Sequence, residues 1–305
     1  MRADRPQDRA LARGLGVVLV LAGVVAGASA FGVRGCAVGA GCGGLVAVAG
    51  ARYAGRRSAR RRALLKSPFP ERFRVYLREK CDHYDRLSPE WKARFENDLR
   101  LFLLEKRITG VEVEVTDELR LLVAASAITL SLGWPDYEWD QVAEVLLYPQ
   151  EFDRHYHFQG DEAGDDDDVL AGQAAGFGTV ILSVPSLLES FEDPDDAFHV
   201  GFHEFAHLLD VDQTQFDGIP AGLDEARARE WVKVAERERE RLRKGRSVLD
   251  PYGEEDPVEF MAVAVEAFFE VPLAMRKGHR ELYALLRDYF RQDPAAADDA
   301  RGLVI

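Results

Sequence analysis

Residues 203–207 read His203-Glu204-Phe205-Ala206-His207. On a helix, histidines at i and i+4 project side by side, and two imidazoles so placed can share one tetrahedral Zn²⁺. Glu204, next to them, is angled to take a proton from an attacking water. A zinc that only holds structure has no use for that glutamate, so the pattern points to hydrolysis. Phe202, Phe205, Ala206, Leu208 and Leu209 make the surroundings apolar. The preceding Asp193-Pro194-Asp195-Asp196 reads as an N-cap, a proline at the first helical position and two acids in the first turn. It predicts a helix over 195–210.

A catalytic zinc takes three protein ligands and leaves one position open. Asp210 and Gln213 stand where the metzincin pattern requires glycine and histidine, which excludes that class. Asp210 and His199 share the histidines' helical face, but one straight helix cannot bring side chains at such spacings onto a single ion. They read as partners of the ligands or as helix-surface groups. The remaining donors lie on a helix predicted over 257–270, whose run EFMAVAVEAFFE is apolar except for Glu259, Glu266 and Glu270. Those three fall close to one stripe, which must face water, a cation or hydrogen-bond donors. Asp256-Pro257-Val258-Glu259 is also a capping-box pattern and accounts for Glu259 alone, whereas a zinc-facing stripe accounts for all three. On residue physics, Glu259 and Glu266 both remain open as third ligand.

The elements that must position these groups are mostly helical. Ser88-Pro89 opens a helix to about 106, and Asp117 opens one that is apolar nearly all round and therefore buried. Residues 144–148 and 179–184, each followed or ended by proline, read as strands that flank an acidic loop, 161–178. That loop lacks the alternating ligand spacing of a calcium-binding EF-hand. Further helices are predicted over 224–244 and 279–291. The soluble part is thus α+β, helix-rich with a small β-sheet.

Charge divides the chain. Residues 1–66 carry twelve Lys/Arg against Asp4 and Asp8, a net +10. The remaining residues carry 27 against 51 acids, so residues 67–305 stand at −24 and the whole at −14. That balance argues against direct nucleic-acid binding. Two uncharged stretches, 15–33 and 35–51, are flanked at both outer ends by arginines, and glycines 35, 39 and 43 repeat at helix-packing spacing. Residues 1–66 therefore read as a two-helix transmembrane hairpin in contact with membrane lipid, placed in a bacterial inner membrane. The domain 67–305 then faces the cytoplasm. Two rivals are a single span and a signal peptide for export ending near Ala28-Ser29-Ala30. Three cysteines without a CxxC pair (Cys36, Cys42, Cys81) read as structural thiols.

HEFAHLLD, FDGIP (216–220), DPVEFMAVAVEAFFEVP (256–272) and RDYFRQDP (287–294) together resemble the Mlc titration factor A family of zinc peptidases, as does EVLLYPQEF (144–152). The resemblance spans roughly 85–305. It implies a zincin-like metalloprotease domain of gluzincin type, with one Zn²⁺ per chain held by His203, His207 and Glu259. It further implies aminopeptidase-like activity on a peptide or protein substrate, with Glu204 as general base, and a regulatory protein partner such as a transcriptional repressor. Tyr252, seven residues before Glu259, matches a tyrosine of the family motif. It reads either as an oxyanion-stabilising group or as a turn tyrosine. The apolar amino terminus departs from the family's soluble form.

Overall fold

The computed structural model describes residues 55–150, 178–210 and 217–301, together with isolated positions before residue 50. The acidic loop lies outside the described residues except for Gly178, and so does most of the predicted hairpin. Among the described residues, no helix is long and apolar enough to cross a membrane. Contacts divide the chain into two units, Met1–Pro68 and Phe69–Ile305. In the first, residues 55–66 are helical. The elements below belong to the second.

Three short strands form a parallel sheet in the order β1 (Arg107–Gly110), β2 (Glu144–Tyr148), β3 (Thr179–Ser183). Ile108 pairs with Val145, and Val145 with Val180, so one line of apolar side chains crosses all three. Val145, Leu147, Val180 and Leu182 are buried. β1 was not expected: four residues, RITG, are too few to show a strand period. They become a strand only because the distant β2 lies beside them.

Helices supply the rest. α1 (Glu71–Lys80) and α2 (Asp82–Arg86) precede α3 (Pro89–Glu105), and α4 (Asp117–Ser131) lies between β1 and β2 in sequence. Ser88 caps α3 and Thr116 caps α4, each side chain accepting the N–H three residues on. All but three residues of α4 are buried, as its apolar run requires. α5 (Val184–Glu192), α6 (Val200–His207), α7 (Glu225–Arg243), a 3₁₀ turn (Pro251–Glu254) and α8 (Pro257–Glu270) follow. α9 (Pro272–Gly278), α10 (Arg280–Phe290) and α11 (Pro294–Arg301) complete the fold.

The segment leading into the site differs from expectation. Pro185 does not merely end β3; it sits in the first turn of α5, which Ser183 caps by accepting from Ser186 N–H at 3.2 Å. Asp193 is consequently the C-cap of α5, its N–H bonded to Glu189 O at 3.0 Å, rather than the N-cap of the site helix. That helix, α6, starts at Val200. Its cap is His199, whose Nδ1 accepts from Phe202 N–H at 3.2 Å.

Candidate metal centre

α6 reaches its place by close packing. Gly201 lies against α4 so tightly that a Cβ there would stand 2.2 Å from Ser126 Oγ. One turn on, the Phe205 ring packs edge-on to Phe102 and Trp139, with centroids 6.0 and 5.1 Å away. Phe202 meets Phe269 of α8 at 5.5 Å. With the apolar side of α6 fixed in this way, His203, Glu204 and His207 share the side facing α8.

The far ends of α6 and α8 are tied by a carboxylate. Asp210, 1% exposed, accepts the backbone N–H groups of Asp217, Gly218 and Ile219 at 3.3, 2.9 and 3.1 Å. Trp231 Nε1 of α7 donates to Gly218 O at 2.7 Å. Gly218 has φ +74°, and a Cβ on it would lie 2.2 Å from Pro257 O. Residues 217–219 are thereby held against Pro257, the first residue of α8. There Asp256 caps the helix, its carboxylate accepting from Val258 N–H at 2.7 Å and Glu259 N–H at 2.9 Å.

Glu259 thus enters from the first turn of α8 and faces both histidines. Its carboxylate oxygens lie 3.0 Å from His203 Nε2 and 3.7 Å from His207 Nε2. The two imidazoles are nearly perpendicular with centroids 4.7 Å apart. His203, Glu204 and His207 bring ligand atoms within 4.8 Å of one another. Donors about 2.0–2.1 Å from a common tetrahedral ion stand about 3.3 Å from each other. The separations to Glu259 bracket that value, so the donor set fits one divalent cation.

The electrostatics suit a bound cation. Glu204 Oε1 is buried and makes no hydrogen bond among the described residues. Burial, reinforced by the Glu259 and Glu266 carboxylates, holds the Glu204 carboxyl well above the usual range. Burial of the His203 ring opposes its charge, but Glu266 and Glu259 outweigh that and raise its pKa to about 10. His207 is lowered to about 4, by burial and then by the charge on His203. Three carboxylates around two rings, with so little compensation, suit a cation among them.

Glu266, the rival of Glu259 for the same stripe, sits elsewhere. It is 1% exposed and meets the other side of His203: Oε1 is 2.7 Å from Nδ1, and Oε2 accepts His199 N–H at 2.6 Å. Glu270 is also buried, and burial holds its carboxyl well above the usual range. His199 and Asp210, read from sequence as ligand partners or surface groups, are buried at the two ends of α6. Each accepts backbone N–H bonds there. Tyr252 lies in the 3₁₀ turn, its ring centroid 6.0 Å from that of His203. Burial and the nearby Glu259 raise its pKa, so the phenol keeps its proton. The bonding of Asp210 to residues 217–219 was not anticipated from sequence, although Asp217-Gly218 carries a turn signal.

A helix-borne pair of histidines with an adjoining glutamate, faced by a carboxylate from a second helix and set beside a small parallel sheet, defines a metallopeptidase-like domain. The chain belongs to the glucose-regulated metallo-peptidase M90 family, whose model matches residues 55–291. An uncharacterized protein of Synechocystis sp. is 30% identical over 244 residues, which cover 77% of this chain and 89% of that protein. The protein named Mlc titration factor A of Edwardsiella ictaluri is 28% identical, over 64% of this chain and 78% of its own. Its namesake in Escherichia coli is 28% identical, over 63% and 76%.

Proposed function

We propose that the protein is a membrane-anchored, zinc-dependent peptidase whose domain 67–305 hydrolyses peptides in the cytoplasm. The observation that carries this reading is the convergence of His203 Nε2 and His207 Nε2 on the Glu259 carboxylate, with Glu204 Oε1 buried and unbonded beside them. His203, His207 and Glu259 would hold Zn²⁺, which when bound acidifies water and polarises a scissile carbonyl. Glu204 accepts the proton of the attacking water and returns it to the departing amine as the C–N bond breaks. Tyr252, still protonated, donates a hydrogen bond from its hydroxyl to the oxygen that gains charge. β3 is the edge of the sheet, and among the described residues no strand pairs with its outer side, which supports a role in aligning an extended substrate. The charge of −24 on residues 67–305 draws cationic peptides or free amino termini, which favours an aminopeptidase.

Glu204→Gln tests the chemistry. The variant should bind one Zn²⁺ per chain and lose about 10²–10⁴-fold in the cleavage of peptides with free amino termini. Chelator should abolish activity of the unchanged protein. Normal cleavage by Glu204→Gln would falsify the mechanism. A second reading is favoured by the name of the relatives, that of a factor titrating Mlc: a zinc-ordered domain that binds a regulatory protein without hydrolysing it. Under that reading Glu204→Gln retains all function.

A further inference from the structure

Glu266 is the buried ionisable group closest to the site that the chemistry above does not use. Its carboxylate lies within α8, two turns from the open end where Glu259 sits, and is shut away from water. Such a group needs donors for both oxygens. It finds two, both from the start of α6: the His203 ring nitrogen Nδ1 at 2.7 Å and the His199 backbone N–H at 2.6 Å. When ionised, the Glu266 carboxylate only accepts, and the ring then carries its proton on Nδ1. A neutral imidazole with its proton there has its lone pair on Nε2, the atom 3.0 Å from Glu259. The second bond, to His199, fixes the ring against the first turn of its own helix rather than against a mobile side chain.

Resting on the metal-site reading above, we infer that Glu266 is the positioning residue of His203: it selects the Nδ1–H tautomer and so presents Nε2 to the cation. Glu259 and Glu266, which residue physics alone left open as ligands, thereby divide the two nitrogens of one imidazole between them. Glu266 itself touches neither substrate nor cation. Partners of this kind typically change metal affinity by about 10–100-fold.

The test uses the full chain and Zn²⁺ alone, measured in competition with a chromophoric chelator, beside circular dichroism and ¹⁵N NMR of the histidine rings. Glu266→Ala, folded by circular dichroism, should bind Zn²⁺ about 10–100-fold more weakly than the unchanged protein. Glu266→Gln, which keeps the volume, should also weaken binding. Its single oxygen can serve Nδ1–H or His199 N–H, and its amide group must meet the other. In the zinc-loaded unchanged protein the His203 proton should lie on Nδ1. Unchanged zinc affinity in a folded Glu266 variant overturns the assignment, and so does a zinc-loaded His203 protonated on Nε2. Should neither variant fold, the tautomer measured in the unchanged protein decides. If the tautomer and the affinity changes are as stated but no peptide is cleaved, the peptidase reading fails and the role of Glu266 stands.

Discussion

His199 shows what burial does to a single imidazole. Its Nδ1 is occupied by Phe202 N–H, its ring stacks on Phe202 with centroids 3.6 Å apart, and its buried Nε2 makes no hydrogen bond among the described residues. Burial lowers its pKa to about 3, against about 6.5 in an unfolded chain. The native state therefore excludes a proton that the unfolded state accepts. The stabilisation is fully present above pH 6.5 and is lost as pH falls towards 3. His199→Asn keeps a capping oxygen but cannot titrate. Its stability should fall less steeply between pH 6.5 and 3, by up to about 1.4 kcal/mol per pH unit. Chemical denaturation across that range reads the difference, and parallel curves for the two proteins would refute it. The same residue explains why the start of α6 was hidden in the sequence: Asp193-Pro194 carries the standard capping types, and histidine as a cap does not. The pair Glu259 and Glu266 was hidden for another reason. Both belong to one helical stripe, and only the position of His203 between them distinguishes the oxygen facing Nε2 from the one facing Nδ1.

Between elements, the spacing of α6 and α8 rests on Asp210 and Gly218. Gly218→Ala combines a left-handed backbone with a Cβ pressed into Pro257. It should cost about 2–4 kcal/mol of stability and weaken zinc binding as well, because Pro257 leads into Glu259. Thermal unfolding and chelator competition measure the two effects. Loss of stability with unchanged zinc affinity would show that this turn braces the fold without setting the site. Helices with strong local signals were legible: Ser88-Pro89, the apolar run after Asp117, Asp224 and Asp256-Pro257 each stand at or beside the start of the helix they predicted. Elements that depend on a distant partner were not. β1 needs β2, and α5 was obscured because Pro185 reads equally as the end of a strand or the first turn of a helix.

For the whole molecule, the informative division is between the basic, apolar amino terminus and the acidic remainder. The family match begins at residue 55, past both apolar stretches. If these stretches anchor the chain, the protein should stay with membranes through carbonate extraction, and removal of residues 1–66 should release a folded, zinc-binding product. Extraction of the full chain at high pH would remove the basis for an anchor. The cluster His203, Glu204 and His207 that the structure brings together could be read from sequence, because the histidine spacing is local. The proposed anchor rests on hydropathy and charge alone, because a membrane span is defined by a lipid phase that lies outside the chain.

The outer side of β3, on which no strand pairs among the described residues, has a further consequence. An unpaired strand edge adheres to any extended backbone, the same edge of a second copy included. β3 is only five residues long, and the residues from 67 onward carry a net −24. The short length leaves little edge for two copies to zip together, and the like charge of the two copies opposes their approach. The acidity of residues 67–305 thus bears on self-association through this edge as well as on the peptides it is proposed to attract.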